Sequence, residues 1–124
     1  MAHTQPCGDL EALCATCTSA EEVTSVLQVL GFALAFHMDA VPSACVGVPP
    51  LPAQYHYRDQ RGNEVIYLAG CDTDPDGEQL PEHASRFWLH PGADAGATRW
   101  VAHALAARWS LAWQAVSPAR QDVA

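Results

Sequence analysis

The chain has no lysine. All six of its cations are arginine, and they face 14 acidic residues, for a formal net charge of -8 over 124 residues. Without a lysine side-chain amine, Schiff-base chemistry, a phosphate-loop lysine and a lysine nucleophile are excluded. The acidic balance repels phosphate backbones, so nucleic acid is not an expected partner. Long apolar runs are lacking too: none approaches the ~20 residues of a membrane span. The N-terminal MAHTQPCGDLEALCATC has no basic stretch followed by an apolar core, so the expectation is a cytoplasmic protein with no membrane partner. Cysteine is sparse and odd in number, at five, which does not suit a disulfide scaffold and agrees with a reducing compartment. No nucleophile elbow, HExxH or glycine-rich dinucleotide fingerprint is present.

What is there suffices for a core. Hydrophobic residues make up 49% of the chain, and a chain of this length is expected to fold as a single domain over 1–124, with a loose lead at 1–8 and a tail at 117–124. The sharpest local signal is QYHYRDQRGNEVIYLAG, from Gln54 to Gly70. Tyr55 and Tyr57 alternate with polar neighbours, as do Val65, Tyr67 and Ala69 after the turn, which predicts a β-hairpin. Gly62 and Asn63 are types that tolerate positive φ in such a loop. A five-residue loop places Arg58 opposite Glu64 and Tyr57 opposite Val65.

Taken in order, Asp9 caps a short predicted helix with Leu10, Leu13, Cys14 and Cys17 on one face. Ser19 and Glu22 form a capping box for a second helix, striped by Val23, Val26, Leu27 and Leu30 and ended by Gly31. Phe32 to Asp39 alternates as a strand with Phe32, Leu34, Phe36 and Met38 on its apolar face. The proline-rich stretch 40–53 is a crossing segment with room for a short edge strand at Cys45 to Val48. Arg86 to His90 is a further strand, and Asp94 caps a final helix whose stripe of Val101, Leu105, Trp109, Ala112 and Val116 runs on towards Pro118. Short connections favour an α+β fold: a mainly antiparallel sheet of four or five strands with two or three helices packed on one face.

Three places have the residue types for chemistry. Asp72, Asp74 and Asp76 have the DxDxDG spacing that surrounds a hard cation, which makes calcium a candidate ligand. The twelfth position, where an EF-hand has glutamate, is His83, and Pro81 interrupts the loop, so an Asp-rich turn is the plainer reading. Cys7, Cys14 and Cys17 with His3 have zinc-ligand chemistry. Two of those cysteines lie on an apolar stripe, however, and read as buried thiols. His37, His56 and Trp88, with Arg58 and Arg86, fall on the polar faces of their strands and would gather on one sheet surface if the strands are neighbours. Trp100 and Trp113 lie outside the middle of the last helical stripe, which suggests an aromatic patch, and Trp113 joins the candidate binding residues.

The stretch VLQVLGFALAF followed by YHYRDQRGNEVIYL resembles part of a module of the glyoxalase and bleomycin-resistance family, where a helix ending in LGF precedes strands joined by a turn of the D-P-D-G-N type. The family's metal-binding glutamate after that turn would fall near Ile66, and no opening strand with a metal histidine is expected before the helix. The resemblance implies at most a ligand-binding relative without the metal chemistry, and the chain is not assigned to the family on it. The expected function is a small acidic non-enzymatic protein that binds another protein or a second copy of itself, as regulator, inhibitor or immunity-type factor. The alternative is a small-molecule binder or enzyme with its pocket on the His37, His56 and Trp88 face. Calcium binding is the third reading.

Overall fold

In the computed structural model residues 8–14, 19–41, 52–69 and 85–116 are described. Their elements follow the chain as β1 (Leu10–Cys14), α1 (Ala20–Val29), β2 (Ala33–Met38), β3 (Ala53–Arg58), β4 (Glu64–Ala69), β5 (Ser85–His90), α2 (Ala95–Trp109) and β6 (Gln114–Ala115). The strands form one antiparallel sheet in the order β2-β3-β4-β5-β1-β6. The α+β expectation holds, with six strands in place of four or five and two helices among the described residues.

The hairpin has the predicted register, with Tyr57 opposite Val65 and Arg58 opposite Glu64. Gly62 takes a positive φ of 87° and Asn63 does not; the asparagine serves through its side chain instead. Asn63 is fully buried. Its Oδ1 accepts the Gly92 N–H at 2.7 Å and the Thr98 hydroxyl, while its Nδ2 donates to Asp59 Oδ2 at 2.9 Å. One side chain thus ties the β3-β4 turn to the approach and first turn of α2. Gly92 passes so close to this turn that a Cβ would overlap the Arg61 carbonyl oxygen.

Both helices pack on one face of the sheet. α1 begins as its capping sequence dictates, with Ser19 Oγ accepting the Glu22 N–H at 3.1 Å. It ends at Gly31, whose φ of 97° lets the Phe32 N–H reach back to Leu27 O at 2.9 Å. Val23 and Leu27 from α1, and Val101, Leu105 and Trp109 from α2, bury against Tyr57, Val65, Tyr67, Phe87 and Leu89. Thr24 bonds the Tyr57 hydroxyl at 2.8 Å, and Phe87 stacks on Trp109 with ring centroids 5.3 Å apart. Glu22 accepts from Arg108 at 2.6 Å and from Trp109 Nε1 at 3.2 Å, which joins the start of α1 to the end of α2. The apolar burial sets the packing and these polar ties fix its angle.

Three local expectations are overturned. The segment after Asp9 is strand β1, not a helix. Over five residues the helical spacing of Leu10, Leu13 and Cys14 coincides with a period-two pattern in Leu10, Ala12 and Cys14, and pairing with β5 on one side and β6 on the other selects the second. The final helix stops at Trp109, where Ser110 adopts left-handed backbone at φ 55°. The chain then turns so that Trp113 Nε1 donates to Ala102 O at 2.9 Å, and Gln114–Ala115 pair with β1. Sheet pairing there displaces two further helical turns.

The third correction is in β2. Ala33 and Leu34 oppose Arg58 and Tyr57, but the next partners are Phe36 with His56 and His37 with Tyr55. Ala35 is therefore an extra residue, a β-bulge, and one inserted residue exchanges the faces of everything after it. Leu34 and His37 share the helix-covered side, whereas Phe36 and Met38 lie on the other. The expected edge strand at Cys45 to Val48, the lead up to Cys7 and the tail from 117 fall outside the described residues.

Candidate functional site

The sheet face opposite the helices holds the polar strand positions. Its central cross-strand row runs Phe36, His56, Ile66, Trp88, Glu11 and Gln114, one residue from each of the six strands. A flanking row holds Arg58, Glu64 and His90, and the other Met38, Gln54, Leu68, Arg86 and Leu13. The sequence thus brings His56, Arg58, Arg86 and Trp88 together on one face.

His37 is not among them. The bulge turns it to the helix side, where it stacks on Tyr55 with centroids 4.3 Å apart. Its Nε2 meets Asp39 Oδ1 at 2.8 Å and its Nδ1 meets Gln54 O at 3.1 Å. Both ring nitrogens are thus occupied within the chain. His56 is similarly engaged, by Gln54 Oε1 at 3.1 Å and Glu64 Oε2 at 3.4 Å, and the same Glu64 oxygen takes Arg58 Nε at 3.4 Å. On the far side, His90 Nδ1 lies 3.1 Å from Asp9 Oδ1 and also receives the Trp88 indole N–H at 3.2 Å. The titratable side chains of this face answer one another, an arrangement that orients a surface better than it serves proton transfer.

The remaining candidates are scattered. Trp113 packs beside α2, partly buried, away from the open face. Asp72, Asp74 and Asp76 lie outside the described residues, as do Cys7 and Cys17. Cys14 is buried with its Sγ 3.6 Å from the Trp109 carbonyl oxygen. Among the described residues no three His, Cys, Asp or Glu are grouped to hold a metal ion, and no helix is long and apolar enough to cross a membrane. A groove of about 540 Å³ lies at the start of α2, lined by Arg61, Asp94, Gly96, Ala97 and Trp100. The amides at that helix start are already taken by Asp94, which accepts from Gly96 at 3.0 Å and from Ala97 at 3.1 Å.

What residue-by-residue reading missed is the sheet margin. Among the described residues β2 is an outer strand, and its Leu34 is 46% and its Phe36 50% exposed, on opposite faces. From 33 to 38 it has no Lys, Arg, Asp, Glu or Pro, the residues that ordinarily guard a sheet edge. That signal was present in the sequence, but strand order was needed to give it meaning. Among the described residues the opposite margin is β6, two residues long. Compared with known proteins, the chain matches no family model, no curated protein and no solved structure, so its site geometry is what a functional reading has to stand on.

Proposed function

We propose that this is a small, acidic, non-enzymatic cytoplasmic protein that acts by binding another protein or a second copy of itself, in the manner of a regulator or inhibitor. One observation carries the reading: β2 offers an uncharged outer strand with Leu34 and Phe36 half exposed on its two faces. Among the described residues β2 has a strand neighbour on one side, and an extended segment of a partner adds to such a strand by main-chain hydrogen bonds. Phe36 leads onto the open face, where it meets His56 edge-on at 5.2 Å and begins the row through Ile66 to Trp88. Aromatic and aliphatic groups with a polar surround are what a protein interface uses. The pocket alternative has less support, since His37 lies on the helix side while His56 and Trp88 share the other face.

Paired capture tests the reading. Immobilised wild-type protein and a folded Phe36→Lys variant are exposed to extract of the native host and, separately, to the soluble wild-type chain. The expected result is a protein, or the chain itself, retained by the wild type and lost by the variant. Identical retention on both, or none on either, overturns the reading.

A further inference from the structure

We infer that Trp88, His90 and Asp9 form a proton-operated switch, in which one nitrogen, His90 Nδ1, exchanges the indole of the open sheet face for the carboxylate at the entry to β1. The inference stands apart from the reading of β2 as a docking edge. Trp88 Nε1 donates to His90 Nδ1 at 3.2 Å, and Asp9 Oδ1 lies 3.1 Å from the same Nδ1. An indole nitrogen is only a donor and an ionised carboxylate only an acceptor. The neutral ring can leave Nδ1 bare and keep Trp88. The imidazolium has a proton on both nitrogens, so there Nδ1 is a donor and Asp9 is its acceptor. The two contacts are therefore alternatives, and the proton on the ring selects between them.

The surroundings leave the choice to these three groups. The His90 side chain is 35% exposed, so water can deliver and remove the proton. Glu64 faces His90 from β4, but its Oε2 is shared between His56 Nδ1 and Arg58 Nε, each at 3.4 Å. Glu11 of β1 stands opposite Trp88, and Arg86 lies on the same face further along β5. Among the described contacts, Trp88 and Asp9 alone reach Nδ1. With the neutral ring, the indole N–H is satisfied inside the chain. With the charged ring, Asp9, whose carbonyl oxygen also holds the Val116 N–H at 2.9 Å, is fastened to the end of β5. The Trp88 N–H is then released in the row that runs from Phe36 to Gln114. Acidification thus tightens the seam where β1 meets β5 and β6, and it puts a vacant donor on the open face.

Proton–nitrogen correlation spectra of the full chain, recorded from about pH 8 to about pH 5, give the test. Each tryptophan has its own indole resonance, and that of Trp88 is assigned through its neighbours in sequence. Its proton is expected to shift upfield as the pH falls, while that of Trp113, bonded to the Ala102 carbonyl oxygen, stays in place. The His90 ring should change in the same step, with Nδ1 passing from the shift of a bare nitrogen to that of a protonated one. Asp9→Asn removes the charge that the imidazolium faces, and it is expected to move the midpoint of both changes to lower pH. A Trp88 resonance that does not shift, or that shifts while His90 keeps its state, overturns the inference. So does a midpoint that Asp9→Asn leaves where it was.

Discussion

Asn63 shows how much of this fold depends on single polar side chains. It is buried without residual exposure, and its amide is committed at both ends, to Gly92 and Thr98 through Oδ1 and to Asp59 through Nδ2. Truncation to alanine leaves the partly buried Gly92 N–H without its acceptor and the Thr98 hydroxyl with the longer bond to the Asp94 carbonyl oxygen at 3.2 Å. Asn63→Ala is therefore expected to lower stability by about 2–4 kcal/mol, read as a lower urea midpoint with an unchanged slope. Asn63→Asp keeps the acceptor but sets a second carboxylate against Asp59. That like-charge contact, with the lost Nδ2 donor, should also lower the urea midpoint relative to wild type.

At the scale of elements, the two helix ends differ instructively. α1 closes on Gly31, which adopts positive φ freely. α2 closes on Ser110, which takes a left-handed conformation with a side chain present. Ser110→Gly should relieve that backbone and raise stability by about 0.5–1 kcal/mol, net of glycine's extra freedom in the unfolded chain. A rise in melting temperature with no change in association would confirm it; a fall would show that Ser110 has a role its backbone does not reveal.

The same contrast explains what could be read from the sequence. The β3-β4 hairpin and α1 were legible because alternation, turn residues and caps all agree locally. β1 was not, since five residues fit both periods and only the neighbours β5 and β6 decide between them. Nor was the end of α2, where a serine stands in place of a glycine or proline and the sheet outcompetes the helix. The candidate site failed at one residue. Ala35 is an unremarkable alanine by type, yet as a bulge it sends His37 to one face and Phe36 to the other, and no local pattern announces an inserted residue.

The chain is acidic overall, while β2 has no Lys, Arg, Asp or Glu. Salt should accordingly strengthen self-association through β2, because screening weakens the repulsion between two chains of charge -8 and leaves the apolar strand contact intact. Raising salt from about 0.02 M to about 0.2 M shortens the Debye length from roughly 20 Å to roughly 7 Å. The dissociation constant measured by sedimentation should fall across that range. A constant that rises with salt would mean that oppositely charged groups make the contact, and β2 has none to offer.

The strand order also sets a schedule. Leu10 is paired with Leu89 on one side and with Ala115 on the other, so β1 waits for nearly the whole described chain before either neighbour exists. During synthesis α1 and the β3-β4 hairpin can form from contacts close in sequence, but β5 has one flank open until β1 is recruited across more than seventy residues. Distant closures of this kind slow folding. Among the described residues the finished sheet is bounded by β2 on one side and by the two-residue β6 on the other.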